Sequence, residues 1–293
     1  MKKQKTKNIK LAAVLLAVAA VVIAVSASVH FMPEIKNAVA LLTRNADRKP
    51  ELSAVTGESV GVKTYSFDEL KADENVEFDR SLMLINKKHR LTDDFEPILT
   101  DINNSGVKLD VKFAEAYISL KKAVYDNCED NLYIMSSFRS AEEQARIKKS
   151  EGDTAAAVGA SEHQSGLAAD VYVMYHAGAG FLDSEAGKFV NENCKDYGFI
   201  IRYPDYGVKS TGISFEPWHI RFVGLPHSDI IASQKLTLEQ YVEGLETGVF
   251  YSYGEYVITR QSGENGLTVP ASFLHCTVSP DNTGNYICTV KVK

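Results

Sequence analysis

The chain has 293 residues and a formal net charge of −6 at neutral pH. Lys2, Lys3, Lys5, Lys7 and Lys10 mask a stronger acidity, since without them the balance falls to −11. A body this acidic repels phosphate backbones, which excludes nucleic acid as a natural partner.

Those lysines precede residues 11–29, which carry no charge. Nineteen apolar or small residues are enough to span a bilayer as a helix, and the lysines place the N-terminus in the cytoplasm. The expectation is a membrane anchor over 1–29, with the rest of the chain outside the cell. A cleaved signal peptide is the alternative, because Val25-Ser-Ala27 has small residues suited to cleavage. Residues 30–75 are expected as a polar stalk, with a short helix near 34–42. A catalytic domain is expected over 76–235, and a helix plus a β-rich appendage over 236–293.

Within 76–235 the apolar spacing alternates between two periods. Phe113, Tyr117, Leu120 and Val124 recur at helical spacing and predict a helix over 112–126. Residues 132–135 read as a strand, which leads into Ser136-Ser-Phe-Arg139. Ser140 and Glu143 form a capping-box pattern that opens a helix over 141–150. Arg139 is thereby held at a junction just before a helix, where its planar fork of donors suits a carboxylate or an oxyanion. The small residues of 152–160 form a loop that leads into Ser161-Glu-His163-Gln-Ser-Gly166-Leu-Ala-Ala-Asp170.

Residues 168–174 read as a buried strand with Asp170 near its start, and Gly166 lets the chain turn to bring His163 alongside. A helix over 184–195 and a strand over 199–203 follow. Glu216-Pro-Trp-His219-Ile-Arg221 then opens another strand, with Trp218, Ile220 and Phe222 on one face and His219 and Arg221 on the other. Pro217 makes an unbroken strand unexpected at Glu216 and leaves that carboxylate able to swing toward His219. His163, Asp170 and His219 make a two-imidazole, one-carboxylate ligand set for a catalytic Zn²⁺. Glu216 is then free to act as a base on a water. The expected fold is α+β, a small antiparallel sheet with flanking helices around a zinc cleft.

After residue 226 the Thr237-to-Gln240 pattern predicts a capped helix ending near 245, and the remainder reads as strands broken by turn signals at 262–266 and 281–284. The tail is too short for a seven-stranded immunoglobulin domain. Of the four cysteines, Cys276 and Cys288 are the pair best placed for a disulfide, across the tail hairpin. None has the spacing of a structural zinc site, and cysteine catalysis has no motif to support it.

The blocks S-x-H-x-x-G-x-A-x-D and E-x-W-H resemble the zinc-site signature of the VanY-type D-alanyl-D-alanine carboxypeptidases, a group that includes VanX-type dipeptidases and L,D-carboxypeptidases. Ser136 to Gln144, Leu84-Ile-Asn86-Lys87 with Leu91, and Phe199 to Pro204 resemble further family segments in the family's order. The resemblance implies a zinc peptidase that trims one C-terminal D-alanine from peptidoglycan stem peptides or their precursors. It implies His163, Asp170 and His219 as ligands of one zinc and Glu216 as the base. Arg139 is implied as oxyanion stabiliser, Ser161 and Gln144 as binders of the substrate's carboxylate, and Trp218 as a wall of the site. Removing the terminal D-alanine would deny vancomycin-type antibiotics their ligand, so a role in resistance is an expectation alongside wall maturation. L,D-carboxypeptidase action on tetrapeptides is the enzymatic alternative, and a silent, membrane-tethered binder of wall peptides is the alternative of another class. No obligate protein partner is evident.

Overall fold

The alternation at 168–174 and 216–223 builds the centre of a sheet. In chain order the strands are β1 (Ser53–Val55), β2 (Val62–Tyr65), β3 (Val76–Phe78), β4 (Leu99–Asp101), β5 (Lys108–Asp110), β6 (Tyr133–Ser136) and β7 (Ala168–Tyr172). Then follow β8 (Phe199–Tyr203), β9 (Glu216–Phe222), β10 (Phe250–Tyr253), β11 (Tyr256–Gln261), β12 (Leu267–Pro270), β13 (His275–Pro280) and β14 (Tyr286–Lys291). The computed structural model describes residues 51–152 and 155–292. The expected membrane anchor and the short helix near 34–42 lie outside the described residues. Among those described, no helix is long and apolar enough to cross a membrane.

Four strands in the order β6-β7-β9-β8 form an antiparallel sheet. Its inner face carries Ala169, Val171, Ile220 and Phe199, with Trp218 and Phe222 packed against them. The helix Val111–Cys128 covers that face with Phe113, Tyr117, Leu120 and Val124, the four residues whose spacing predicts it. Asp110 caps it by accepting from the Lys112 amide at 2.9 Å, and Glu129 ends it in the left-handed region. The helices Ala141–Glu151 and Glu185–Asn193 also form where the sequence puts them, the first capped by the Ser140 hydroxyl at 3.1 Å from the Glu143 amide. The fold is therefore mixed α+β, as expected.

The β-rich end differs from the expectation in two respects. Residues 51–75, read as stalk, are built into the same structure as the tail. β1 pairs with β10 and β3 runs parallel to β13 in a six-stranded sheet of order β1-β10-β11-β14-β13-β3, while β2 pairs with β12 in a separate two-stranded sheet. Strands of three or four residues with half-exposed patterns carry too little alternation to be read, and their partners lie near the far end of the chain. From Glu51 onward the chain is one compact unit. The expected Cys276–Cys288 disulfide is absent: all four cysteines are free thiols. In the β13/β14 ladder Cys276 lies opposite Val290 and Cys288 opposite Val278, so the two thiols are out of register with each other.

Candidate metal centre and active site

The outer face of the four-stranded sheet carries a row of polar residues. Ser136 on β6 is opposite Asp170 on β7, and Asp170 is opposite His219 on β9. Cross-strand partners project to the same face, so this register alone sets three functional side chains side by side. His163 comes to them from a single 3-10 turn, Glu162–Ser165, that ends at Gly166. Gly166 has φ +75°, and a Cβ there would sit 2.6 Å from Leu99 and 2.8 Å from the Asp110 amide. Only glycine turns the chain so tightly at this point.

His163, Asp170 and His219 each offer one ligand atom, and these atoms lie within 4.8 Å of one another. The His163 Nδ1 is 2.9 Å from the Ser137 carbonyl oxygen, to which it donates, so its Nε2 is left with a lone pair 3.5 Å from Asp170 Oδ2. His219 faces Asp170 with its other nitrogen: Nδ1 is 3.0 Å from Asp170 Oδ1. Burial, reinforced by the neighbouring His219, pushes the His163 imidazole down to about 3, which keeps it a neutral ligand. Burial opposes a charge on His219, but Asp170 and Glu162 outweigh it and push that imidazole up to about 9, so a metal ion would bind at Nδ1 by displacing a proton. Two imidazoles and a carboxylate converging on one point, with both rings buried, fit a zinc ion that keeps a position open.

Glu216 reaches the cluster by a route that Pro217 does not supply. β9 runs through both residues, so the expected break is absent. The ladder is irregular between the Ile201–Ile220 and Tyr203–Glu216 pairs, with four steps on β9 against two on β8, and Glu216 lies beside His219 at this irregularity. Its Oε2 is 3.7 Å from His219 Nδ1. Burial lifts the Glu216 carboxyl above its ordinary value, with Asp170 adding to the lift and His219 and Arg139 countering it.

Arg139 lies on the opposite flank, 3.8 Å from Asp170 Oδ2. Its Nε and Nη2 donate to Ser136 Oγ at 3.3 and 3.1 Å, and its Nη1 donates to Gln144 Oε1 at 3.1 Å. Gln144 is 1% exposed and also donates to the Ala156 carbonyl at 2.8 Å. Both ends of its amide are therefore engaged within the protein, which corrects its expected place as a substrate contact: it holds Arg139. The Ser161 hydroxyl, by contrast, makes no hydrogen bond among the described residues. Trp218 packs on the core side of the sheet, away from His219, and so is no wall of the site. Tyr203, which the sequence places in a family segment without a role, packs at a tilt against His219 with ring centroids 4.9 Å apart. A cleft of about 350 Å³ opens beside Arg139 between Leu91, Phe95, Phe138 and Val158.

Below this shell lies a cluster that motif reading also misses. Glu162 Oε1 accepts from Arg202 Nε and Arg221 Nη1, each at 2.7 Å. Arg202 makes a second, bidentate pair with Glu239, at 2.6 and 2.9 Å. Arg221 also donates to the Ser81 and Met83 carbonyls at 2.9 Å. Both arginines and Glu162 are essentially buried, and their two carboxylate partners balance the two positive charges.

Comparison with known proteins gives the family. Residues 106–225 match the family model described as VanY, D-alanyl-D-alanine carboxypeptidase. The chain is 37% identical over 178 residues to a bifunctional D-Ala-D-Ala dipeptidase and carboxypeptidase, VanXYC, of Enterococcus gallinarum, covering 55% of this chain and 93% of that protein. Among solved structures, a VanYB complex with D-alanine-D-alanine shares 29% identity with a TM-score of 0.50, covering 57% of this chain and 99% of the other. The LdcB LD-carboxypeptidase shares 27% identity with a TM-score of 0.53, covering 64% and 96%. The chain belongs to the VanY family of D-alanyl-D-alanine carboxypeptidases.

Proposed function

We propose that this protein removes the C-terminal D-alanine from peptidoglycan stem pentapeptides or their precursors, outside the cytoplasmic membrane. The observation that carries the reading is the convergence of His163, Asp170 and His219 with Glu216 at 3.7 Å from His219 Nδ1 and Arg139 at 3.8 Å from Asp170 Oδ2. His163 through Nε2, His219 through Nδ1 and Asp170 through a carboxylate oxygen would hold the zinc, which when bound would supply Lewis-acid activation of a water and of the scissile carbonyl. Glu216 accepts the proton of the attacking water and returns it to the leaving amine; burial, which lifts its carboxyl above the ordinary value, strengthens it as a base. Arg139, fixed by Ser136 and Gln144, presents its remaining donor capacity to the developing oxyanion, and losing one such donor typically costs about 10²–10³ in rate. The free Ser161 hydroxyl is a donor for the substrate's terminal carboxylate. The lysine-flanked apolar stretch at 11–29 supports a site of action beyond the membrane, and the loss of a terminal D-alanine would weaken binding of vancomycin-type antibiotics.

The test incubates the zinc-loaded chain with pentapeptide and tetrapeptide stems and follows products by mass. Release of D-alanine from the pentapeptide is expected well ahead of any release from the tetrapeptide. Glu216→Gln is expected to keep its zinc and lose turnover by about 10²–10⁴. Preferred conversion of the tetrapeptide would reassign the enzyme to L,D-cleavage, and binding without cleavage would make it a binder of wall peptides.

A further inference from the structure

We infer that Glu162 is the positioning residue for the metal ligand His219, fixing both its tautomer and its aim; the inference rests on the zinc site proposed above. The argument begins with two polar atoms. Glu162 Oε2 and His219 Nε2 are both buried, and neither has a hydrogen-bond partner. They face each other at 3.9 Å, too long for a hydrogen bond. Leaving two such atoms unpaired in a buried site is costly, and a carboxylate oxygen and an imidazole N–H are complementary.

Tautomer logic points the same way. Nδ1 of His219 faces Asp170 and Glu216, so it is the nitrogen available to a metal. A ligating nitrogen needs its lone pair, which puts the ring proton on Nε2. That proton needs an acceptor, and Glu162 Oε2 is the carboxylate oxygen aimed at it. Ligating histidines commonly donate their second N–H in this way, which orients the ring and raises its basicity.

The surroundings make Glu162 a fixed acceptor. Arg202 and Arg221 both bond Oε1, which orients the carboxylate and leaves Oε2 toward the ring. Glu239 offsets the second positive charge through its bidentate contact with Arg202. His163, by contrast, gives its proton to the Ser137 backbone carbonyl, so the two histidines are held by unlike partners. A glutamate one position before His163 thus serves the other histidine, on a strand far along the chain.

The test uses the full chain and two readouts. Nitrogen-proton correlation spectra of the zinc-loaded parent are expected to show His219 as the Nε2–H tautomer with that proton hydrogen-bonded, and Glu162→Asp, which keeps the charge but shortens the reach, is expected to raise the zinc Kd by about 10–100-fold. The Kd is measured by competition with a chromogenic chelator after circular dichroism shows the fold intact. Metal on Nε2 of His219, or a folded Glu162→Asp chain with parental zinc affinity, would overturn the inference. If Glu162→Asp fails to fold, the tautomer in the parent decides alone. A parent chain that binds no zinc would instead remove the proposed site itself.

Discussion

At the level of single residues, burial decides what each ionisable group can do. Asp79 shows this away from the catalytic cluster. It accepts from the Ser81 amide at 3.1 Å and from the Ser81 hydroxyl at 3.0 Å, yet burial lifts its carboxyl to about 6. An unfolded chain ionises the same group near 3.9 (about the free aspartate value). Folding therefore favours the proton, and the stabilisation is complete below about pH 4 and is lost as pH rises through about 6. The shift corresponds to roughly 2–3 kcal/mol. Asp79→Asn, which imitates the protonated form, is expected to be more stable than the parent by up to that amount at pH 7.5 and little different at pH 4. Urea midpoints of both proteins across this range check it; equal midpoints at pH 7.5 would show that Asp79 is not strained by its charge. Burial also fixes the role of Gln144, a neutral amide that is 1% exposed. Its spacing from Arg139 marks it as part of the site, but only its burial shows that it faces the guanidinium instead of the substrate.

At the level of elements, what could be read from the sequence was what repeats or caps locally. The helix Val111–Cys128 and the strands β7, β8 and β9 lie where apolar periodicity puts them, because one face of each is buried along its whole length. The candidate metal ligands, which the fold brings within 4.8 Å of one another, were legible because their spacing is written in two short stretches. The irregularity beside Glu216 was not, since it arises from a mismatch between β8 and β9 that neither strand encodes alone. The Glu162, Arg202, Arg221 and Glu239 cluster was equally hidden, because isolated charges have no period. Capping is the opposite case. Thr237 and Gln240 form the complete box the sequence announces, with the Thr237 hydroxyl accepting from the Gln240 amide at 3.3 Å. That hydroxyl also lies 2.9 Å from Ser210 Oγ, and Thr237 is 1% exposed. Thr237→Ala is expected to cost about 1–2 kcal/mol, at the upper end for a cap because it is buried. Denaturant unfolding measures this, and a loss below about 0.3 kcal/mol would mean that the helix Leu238–Gly244 is held by packing alone.

At the scale of the whole molecule, the tail is structurally inseparable from the catalytic sheet. One apolar cluster joins Leu82, Leu84, Ile200 and Val223 to Leu238, Tyr241, Tyr253, Ile258 and Ile287. His227 adds a polar tie, with Nδ1 2.6 Å from the Tyr241 hydroxyl and Nε2 2.7 Å from the Thr289 hydroxyl. The segment beyond residue 235 also supplies Glu239, the second counter-charge for Arg202. Ending the chain at residue 235 would open this cluster to water and leave Arg202 and Arg221 to share Glu162 alone. Two buried guanidiniums with one carboxylate amount to an uncompensated buried charge, and breaking a buried pair by removing one partner typically costs about 3–5 kcal/mol. That penalty alone is a large fraction of a typical domain stability of about 5–15 kcal/mol, before the lost apolar burial is counted. The chain ending at residue 235 is therefore expected to lack cooperative urea unfolding and to bind zinc far more weakly than the full chain. Glu239→Gln in the full chain isolates the charge component, and is expected to lower the urea midpoint while keeping cooperative unfolding. A chain ending at residue 235 that unfolds cooperatively with parental zinc affinity would show instead that the catalytic sheet stands without its β-rich partner.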